Sequence, residues 1–259
     1  MRKALLLLAL LALAIALPFA TQAAGFPALT GLATRMAIYA IAASSLNLIL
    51  GQGGMVSFGH AAYYGLGGYA VGILYAHFVA EEPILGLIPG TNLLVLTIPA
   101  ALLLGGMAAA VIGALSLRTS GVPFIMITLA FAQMLFFLFV SLKTYGGDDG
   151  LIVRRPNVFF GLNLRDPPTM YWIALGFLTA WLLLMWRISG SRFGRILDGV
   201  RQNERRMAAI GIGTYPYKLA AFVIAGMGAA LAGALMANYT RFVSPDMMHW
   251  TKSGELMVM

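Results

Sequence analysis

The chain has 259 residues, 60% of them hydrophobic and only 10% charged, with a formal net charge of +8. Soluble domains carry about 25% charged residues, so a water-soluble fold is excluded and an integral membrane protein is expected. The basic excess fits loops facing an anionic leaflet better than nucleic acid. The lack of cysteine rules out disulfides and thiolate metal sites, and His60, His77 and His249 have no metal-ligand spacing. No metal and no cofactor is expected.

Residues 4–20 form an apolar run behind Arg2 and Lys3 and before small residues that end at Ala24. This pattern fits a cleaved signal peptide or a first span with a cytoplasmic N-terminus, and the retained helix is favoured. Further spans are expected at 30–50, 59–79, 93–117, 122–140, 170–187 and 217–237, with another beginning near 252. These runs are continuously apolar and do not alternate, which excludes a strand barrel. The expected fold is all-α: a polytopic membrane helix bundle of about seven to eight transmembrane helices forming a single domain over 1–259.

Between the second and third runs lies a polar interruption that contains Gly51, Gln52, Gly53, Gly54, Ser57 and His60. Such groups are costly in lipid unless they line a cavity or a helix contact. Glycine-interrupted spans are where transporters expose backbone groups to a polar solute, so these six residues are the candidate solute path. Hydrogen bonding between helices is the competing reading for Gln52, Ser57 and His60.

Small residues recur four apart at Gly68 and Gly72, at Gly105, Ala109 and Gly113, and at Ala225, Ala229, Gly233 and Ala237. They mark close helix packing. No expected span holds a central Asp or Glu, which argues against proton- or sodium-coupled transport. The outer stretch Gly146-Gly147-Asp148-Asp149-Gly150 reads as a turn. Arg154 and Arg155 follow it, and Lys252 also falls outside.

Basic residues concentrate in the segment 188–216, which places it in the cytoplasm. Within it, Phe193, Ile196, Leu197, Val200, Met207 and Ala208 recur at helical spacing, with arginines opposite. Gly211 and Gly213 end the helix. On its surface Arg201 is expected to pair with Asp198 and to lie near Glu204. An amphipathic helix of this kind suits either the leaflet surface or a groove in a cytoplasmic partner.

Three segments carry a family resemblance: NLILGQGGMVSFGHAAYYGLGGYAVGIL at 47–74, TYGGDDGL with RRP at 144–156, and SRFGRILDGVRQNERRMAAIGIGTYPYKLAAFVIAGMGAALAGAL at 191–235, followed by SPDMMHWTKSGE at 244–255. Together they resemble the permease subunits of branched-chain amino acid ABC importers, the kind that pairs with a second permease. The resemblance implies a subunit of the bacterial inner membrane, and the distribution of basic residues puts the N-terminus in the cytoplasm. It would move leucine, isoleucine or valine inward by alternating access. The implied partners are a second homologous permease, two cytoplasmic ATPase subunits and a periplasmic solute-binding protein. Closely similar permeases serve urea and short-chain amide importers; a secondary transporter or channel is the more distant alternative.

The resemblance also implies that 188–216 is a coupling loop, with Arg201, Glu204, Ala208 and Gly211 at the ATPase contact. Arg205 and Arg206 depart from the small or apolar residues common there. Asp148, Asp149, Arg154 and Arg155 become candidates for docking the binding protein. Similar permeases continue beyond the point matching Met259, so a domain incomplete at its C-terminus is expected. The chain has no phosphate-binding Gly-x-x-x-x-Gly-Lys-Ser/Thr loop, so it is expected to be no enzyme, with ATP hydrolysis left to its partners.

Overall fold

The computed structural model describes residues 14–19, 26–84, 86, 89–159 and 162–259. Most of the expected first run, 4–20, lies outside them. Helix α1 spans Pro27–Asn47 and continues through a π turn, Leu48–Gln52. It is followed by α2 (His60–Ala80), α3 (Leu94–Ser116), α4 (Val122–Ser141), α5 (Pro167–Gly190), α6 (Arg192–Ala209), α7 (Thr214–Thr240) and α8 (Trp250–Val258). Among the described residues, five stretches are long and apolar enough to cross a membrane: Ala28–Gln52, α3, α4, α5 and α7. At about 1.5 Å per residue each covers a hydrocarbon core. Helix α2 is as long, but its glycines, tyrosines and His60 lower its hydropathy, and its side chains are mostly buried inside the bundle.

The helices alternate in direction between two ends. One end holds the turns 53–56 and 117–121 together with α6, and is called the α6 end below. The other holds the segments 81–93 and 142–166. There two short antiparallel ribbons form, β1 (Leu151–Ile152) with β4 (Phe242–Val243) and β2 (Val158–Phe159) with β3 (Leu162–Asn163).

Helix α7 is the axis of the bundle and packs against α1, α2 and α3. Its small residues make this possible. A β-carbon on Gly67 of α2 would overlap the Ala230 carbonyl, and one on Gly233 of α7 would overlap the Tyr64 carbonyl. The two backbones therefore touch along one reciprocal seam. The expected stripe Gly105, Ala109 and Gly113 of α3 meets α7 at Gly226, Ala230 and Phe222. Small residues replace hydrophobic drive with close dispersion contact, as membrane interiors require.

The structure keeps one expectation and changes two others. First, the expected interruption separates α1 from α2. After the π turn the chain runs without helix from Gly54 to Gly59, and α2 begins inside the bundle, where His60 reaches Ser45 of α1 (3.1 Å) and Gly59 meets Thr128 of α4. Non-helical backbone at membrane depth is tolerated when protein surrounds it, and Ser57 and Gly59 are buried.

Second, residues beyond α7 do not stay at the far end. Val243 lies against Gly72, Met247 against Gly68 and Met248 against Gly65, so the chain descends along α2. Ser253 then accepts from the Ala61 amide (2.9 Å) and donates to the Phe58 carbonyl (2.7 Å). Lys252, expected outside, instead sits over the ring of Tyr39 at 5.8 Å. Tyr39 is near the middle of the Ala28–Gln52 stretch, and Glu255 bonds Lys252. A carboxylate does therefore lie at membrane depth, because residues 241–258 return into the bundle. Third, α6 is not continuous: Asn203 is extended (φ −162°, ψ 98°) and divides it into two helical pieces.

Candidate functional site

The first piece of α6 follows α5 directly. Ser191 ends α5 and caps α6, its hydroxyl accepting from the Gly194 amide at 3.4 Å. Leu197 and Val200 bury themselves under the bundle, and Phe193 packs on Tyr217 of α7. Past the break, Asn203 Oδ1 accepts from the Arg206 amide (2.9 Å) and restarts the helix, as short polar side chains do at N-caps. The second piece ends where Gly211 turns left-handed at φ 87°, with the Gly211 and Ile212 amides bonded to the Ala208 and Met207 carbonyls. That is the expected glycine stop.

The pairing around Glu204 differs from expectation. Glu204 Oε1 accepts from Lys218 Nζ (2.6 Å) and Thr214 Oγ1 (2.8 Å), both in the first two turns of α7. Arg201, expected beside Asp198 and Glu204, donates instead to the Gly51 carbonyl. The extended Asn203 turns Glu204 away from the preceding helical piece, which a continuous-helix reading could not foresee. Partial burial pushes the Glu204 carboxyl up, but the hydrogen bonds from Lys218 and Thr214 and the Lys218 charge outweigh it and hold it below its ordinary range. The missed residue is Lys218, a lone lysine at the start of an apolar span; that isolation was the available signal.

Two groups of expected site residues thus meet. Gly51 and Gln52, placed on the solute path, bond the segment placed in the coupling loop: Arg201 reaches the Gly51 carbonyl, and the Gln52 amide donates to Ser189 Oγ. Gly53 and Gly54 line a cavity of about 340 Å3 with Arg201, Asn203, Glu204 and Lys218. Gly54 adopts φ 66°, and a β-carbon there would press on the Arg201 side chain, so glycine is required twice over.

Ser57 and His60 lie deeper and apart from this cavity, fully buried. Ser57 Oγ accepts from the Gly59 amide at 3.2 Å. Ser45 donates its hydroxyl hydrogen to the Ala42 carbonyl (2.7 Å), which leaves its oxygen to accept from His60 Nε2 (3.1 Å). Ser57 Oγ and His60 Nε2 thus bond within the protein, while His60 Nδ1 is buried without a hydrogen-bond partner.

The face of the second α6 piece is open: Arg205, Arg206, Ala208 and Ile210 are exposed, Ile210 at 65%. At the far end, Arg154 and Arg155 line a cavity of about 620 Å3 with Tyr75, His77, Glu81 and Glu82. His77 donates Nδ1–H to the Glu82 carbonyl (3.0 Å) and accepts from Tyr145 Oη (3.1 Å). Asp148 and Asp149 sit on an exposed 3-10 turn between left-handed Gly146 and positive-φ Gly150, outside that lining. Among the described residues no cluster of three or more His, Asp or Glu could hold a metal.

A bundle of apolar helices around a small-residue axis, with polar chain returning into its interior, defines a polytopic membrane protein. Residues 28–256 match the family model for the branched-chain amino acid transport system permease component, and the chain belongs to that family. It is 27% identical to the high-affinity branched-chain amino acid transport system permease protein LivM of Escherichia coli, over 98% of this chain and 61% of that protein. It is 26% identical to LivM of Salmonella typhimurium over the same shares. A probable branched-chain amino acid transport permease protein LivM of Methanocaldococcus jannaschii is 25% identical over 86% of this chain and 71% of its own length. The chain thus spans about three-fifths of the first two relatives. No solved structure matches.

Proposed function

We propose that this permease is a subunit of an ATP-driven importer in a bacterial inner membrane that carries leucine, isoleucine and valine into the cytoplasm. The substrate class rests on the relatives named above. The proposed partners are a second permease, two ATPase subunits and a periplasmic binding protein. The α6 end is assigned to the cytoplasm because its arginines crowd there, which puts the N-terminus in the cytoplasm as well if 4–20 spans. The reading treats 1–259 as one transmembrane domain, with 188–216 as its coupling loop.

The observation that carries the mechanism is the attachment of α6. Its second piece presents an open apolar and basic face, while Glu204 ties it to the first two turns of the central helix and Arg201 ties the first piece to Gly51. A partner that moves Arg201, Glu204, Ala208 and Gly211 would pull directly on α7 and on the chain from Gly51 to Gly54. From there the displacement passes to Ser57 and His60, where the non-helical segment meets α2, and so to the solute path. A ligand shifts such an equilibrium only through contacts that differ between its two states; ATP-driven closure of the partners would supply that difference. At the opposite end Arg154, Arg155 and the exposed Asp148 and Asp149 offer both charges to a binding protein.

The test is Ile210→Asp in the assembled transporter. This side chain is exposed, so the fold should persist while ATPase association and ATP-driven leucine uptake fall together. Uptake and association both unchanged would refute the coupling role. Uptake of urea in place of leucine by the unaltered complex would refute the substrate class.

A further inference from the structure

The segment 142–166 crosses the far end of the bundle and sends one polar side chain inside. Asn157 is 1% exposed, between the outer ends of α3 and α7. Its side-chain amide donates to Thr97 Oγ1 of α3, and its backbone amide donates to Asn238 Oδ1 of α7 (2.8 Å). Asn238 is itself buried and held, its Nδ2 donating to the Ala234 carbonyl one turn back (2.9 Å). That bond fixes the carboxamide and aims its oxygen at residue 157. The same segment is bound again where the Val153 amide donates to the Arg241 carbonyl (2.9 Å), just past the end of α7. Packing alone does not call for an asparagine at 157. Its Oδ1 is buried without a partner, a cost that an apolar side chain of that size avoids.

The other end of α7 is gripped too. Lys218 holds Glu204 of the α6 segment at 2.6 Å. From Lys218 to Asn238 the helix runs roughly 30 Å at 1.5 Å per residue. No proline follows Pro216 in its first turn. Its backbone touches α2 at Gly67 and Gly233 with no side-chain cushion to absorb a tilt. A displacement imposed at one end is therefore delivered at the other.

We infer that Asn238 is a positioning residue for transport. Through Asn157 it fixes the outer segment to the same helix that Glu204 grips from the coupling loop. A binding protein docked on 142–166 and a partner acting on α6 then bias one shared element, α7, which is what physical coupling between distant sites requires. Such coupling is reciprocal in binding free energy, so events at the α6 end must also be felt at Asn157. The inference rests on the permease reading above and adds to it the residue that joins its two ends.

The test uses the complete transporter in proteoliposomes with leucine-loaded binding protein. Asn238→Ala removes the acceptor of the Asn157 amide. The expected result is an at least tenfold loss of binding-protein-stimulated ATPase activity and of leucine uptake, with basal ATPase activity and binding-protein affinity in the absence of nucleotide within twofold of wild type. Asn238→Ser keeps an acceptor and can bond the carbonyl four residues back, as Thr240 does to Met236 (2.8 Å); it is expected to restore most of the stimulation. Asn92→Ala is the structural control. Its Nδ2 holds the Pro156 carbonyl (3.5 Å) next to α3, so the change loosens the same segment without touching α7 and should leave stimulation intact. Equal losses in Asn92→Ala and Asn238→Ala, full stimulation in Asn238→Ala, or a serine variant as impaired as the alanine one each overturn the inference. Hydrogen exchange on the unaltered complex decides the matter even where a variant fails to assemble. Trapping the ATPase partners with ADP and vanadate should change exchange at the Val153 and Asn157 amides at least fivefold. No change there, in a complex that takes up leucine, overturns the inference and leaves the permease reading intact. A complex that takes up no leucine refutes the permease reading, while an exchange response at 153 and 157 would still uphold the link through α7.

Discussion

Replacing Glu204 by glutamine should damage the protein more than replacing its partner Lys218 by methionine. The Lys218 side chain is only 11% exposed, whereas that of Glu204 is 43% exposed. Glu204→Gln strands a buried ammonium with only a neutral amide oxygen opposite. Lys218→Met removes the buried charge and leaves a carboxylate that water and Thr214 can serve. Breaking a fully buried pair costs about 3–5 kcal/mol, and exposed pairs contribute about 0–1 kcal/mol. Solvent screening on the Glu204 side places Glu204→Gln between these limits, at about 1.5–3 kcal/mol, and Lys218→Met at about 0–1 kcal/mol. The double variant should recover about 1–2 kcal/mol relative to the sum of the single changes, because the stranded ammonium is gone. Thermal unfolding of the detergent-solubilised chain and its three variants measures this. A Lys218→Met variant as unstable as Glu204→Gln, or strict additivity, would refute the account.

The same pair sets a pH dependence. The Glu204 carboxyl is held below its ordinary 4.5, so its stabilising contribution is complete above that value and is lost as pH falls through the lowered one. The stability gap between wild type and Glu204→Gln should be constant from pH 6 to 8 and should close below about pH 4.5. Ser253→Ala should cost about 1–3 kcal/mol by leaving the Phe58 carbonyl and the Ala61 amide unpaired, and should speed amide exchange at Ala61. Gly67→Val should force α2 from α7 along the Ala230 carbonyl, costing about 1–3 kcal/mol or more; unchanged thermal stability would contradict the close approach.

The helices were legible because an apolar run long enough to cross a bilayer has few alternatives. Expected spans at 93–117 and 122–140 differ from α3 and α4 by a residue at the ends where they differ at all, and α5 and α7 extend three residues further each way. The small-residue stripes of α3 and α7 were read correctly as helix seams, whereas Gly68 and Gly72 make room for Met247 and Val243 of the returning chain. The return of residues 241–251 escaped because their backbone is shielded by protein, so no apolar run records their depth; a span was expected to begin only near 252. Serine, proline, aspartate and lysine there read as loop chemistry. Asn203 hid the Glu204–Lys218 pair for a similar reason: one extended residue inside an otherwise helical pattern leaves the periodicity almost intact and redirects everything after it. The glycines expected on a solute path were singled out for their place between two spans, but only the fold shows that Gly51 and Gln52 bond Arg201 and Ser189.

The descent of residues 241–258 along α2 bears on how the protein is made. This segment is too polar and irregular to partition into lipid by itself, and its resting place is built from Phe58, Ala61, Gly65, Gly68 and Gly72, synthesised some 170 to 195 residues earlier. An insertion machinery that releases spans one by one according to hydropathy has no reason to retain it. It must be admitted by a bundle that has already closed around α2 and α7. The polar stretch therefore enters after α2 and α7 have met, as a guest of the assembled helices, and substitutions that loosen the α2–α7 seam should be seen first as failed maturation of this segment, with the individual spans still correctly threaded.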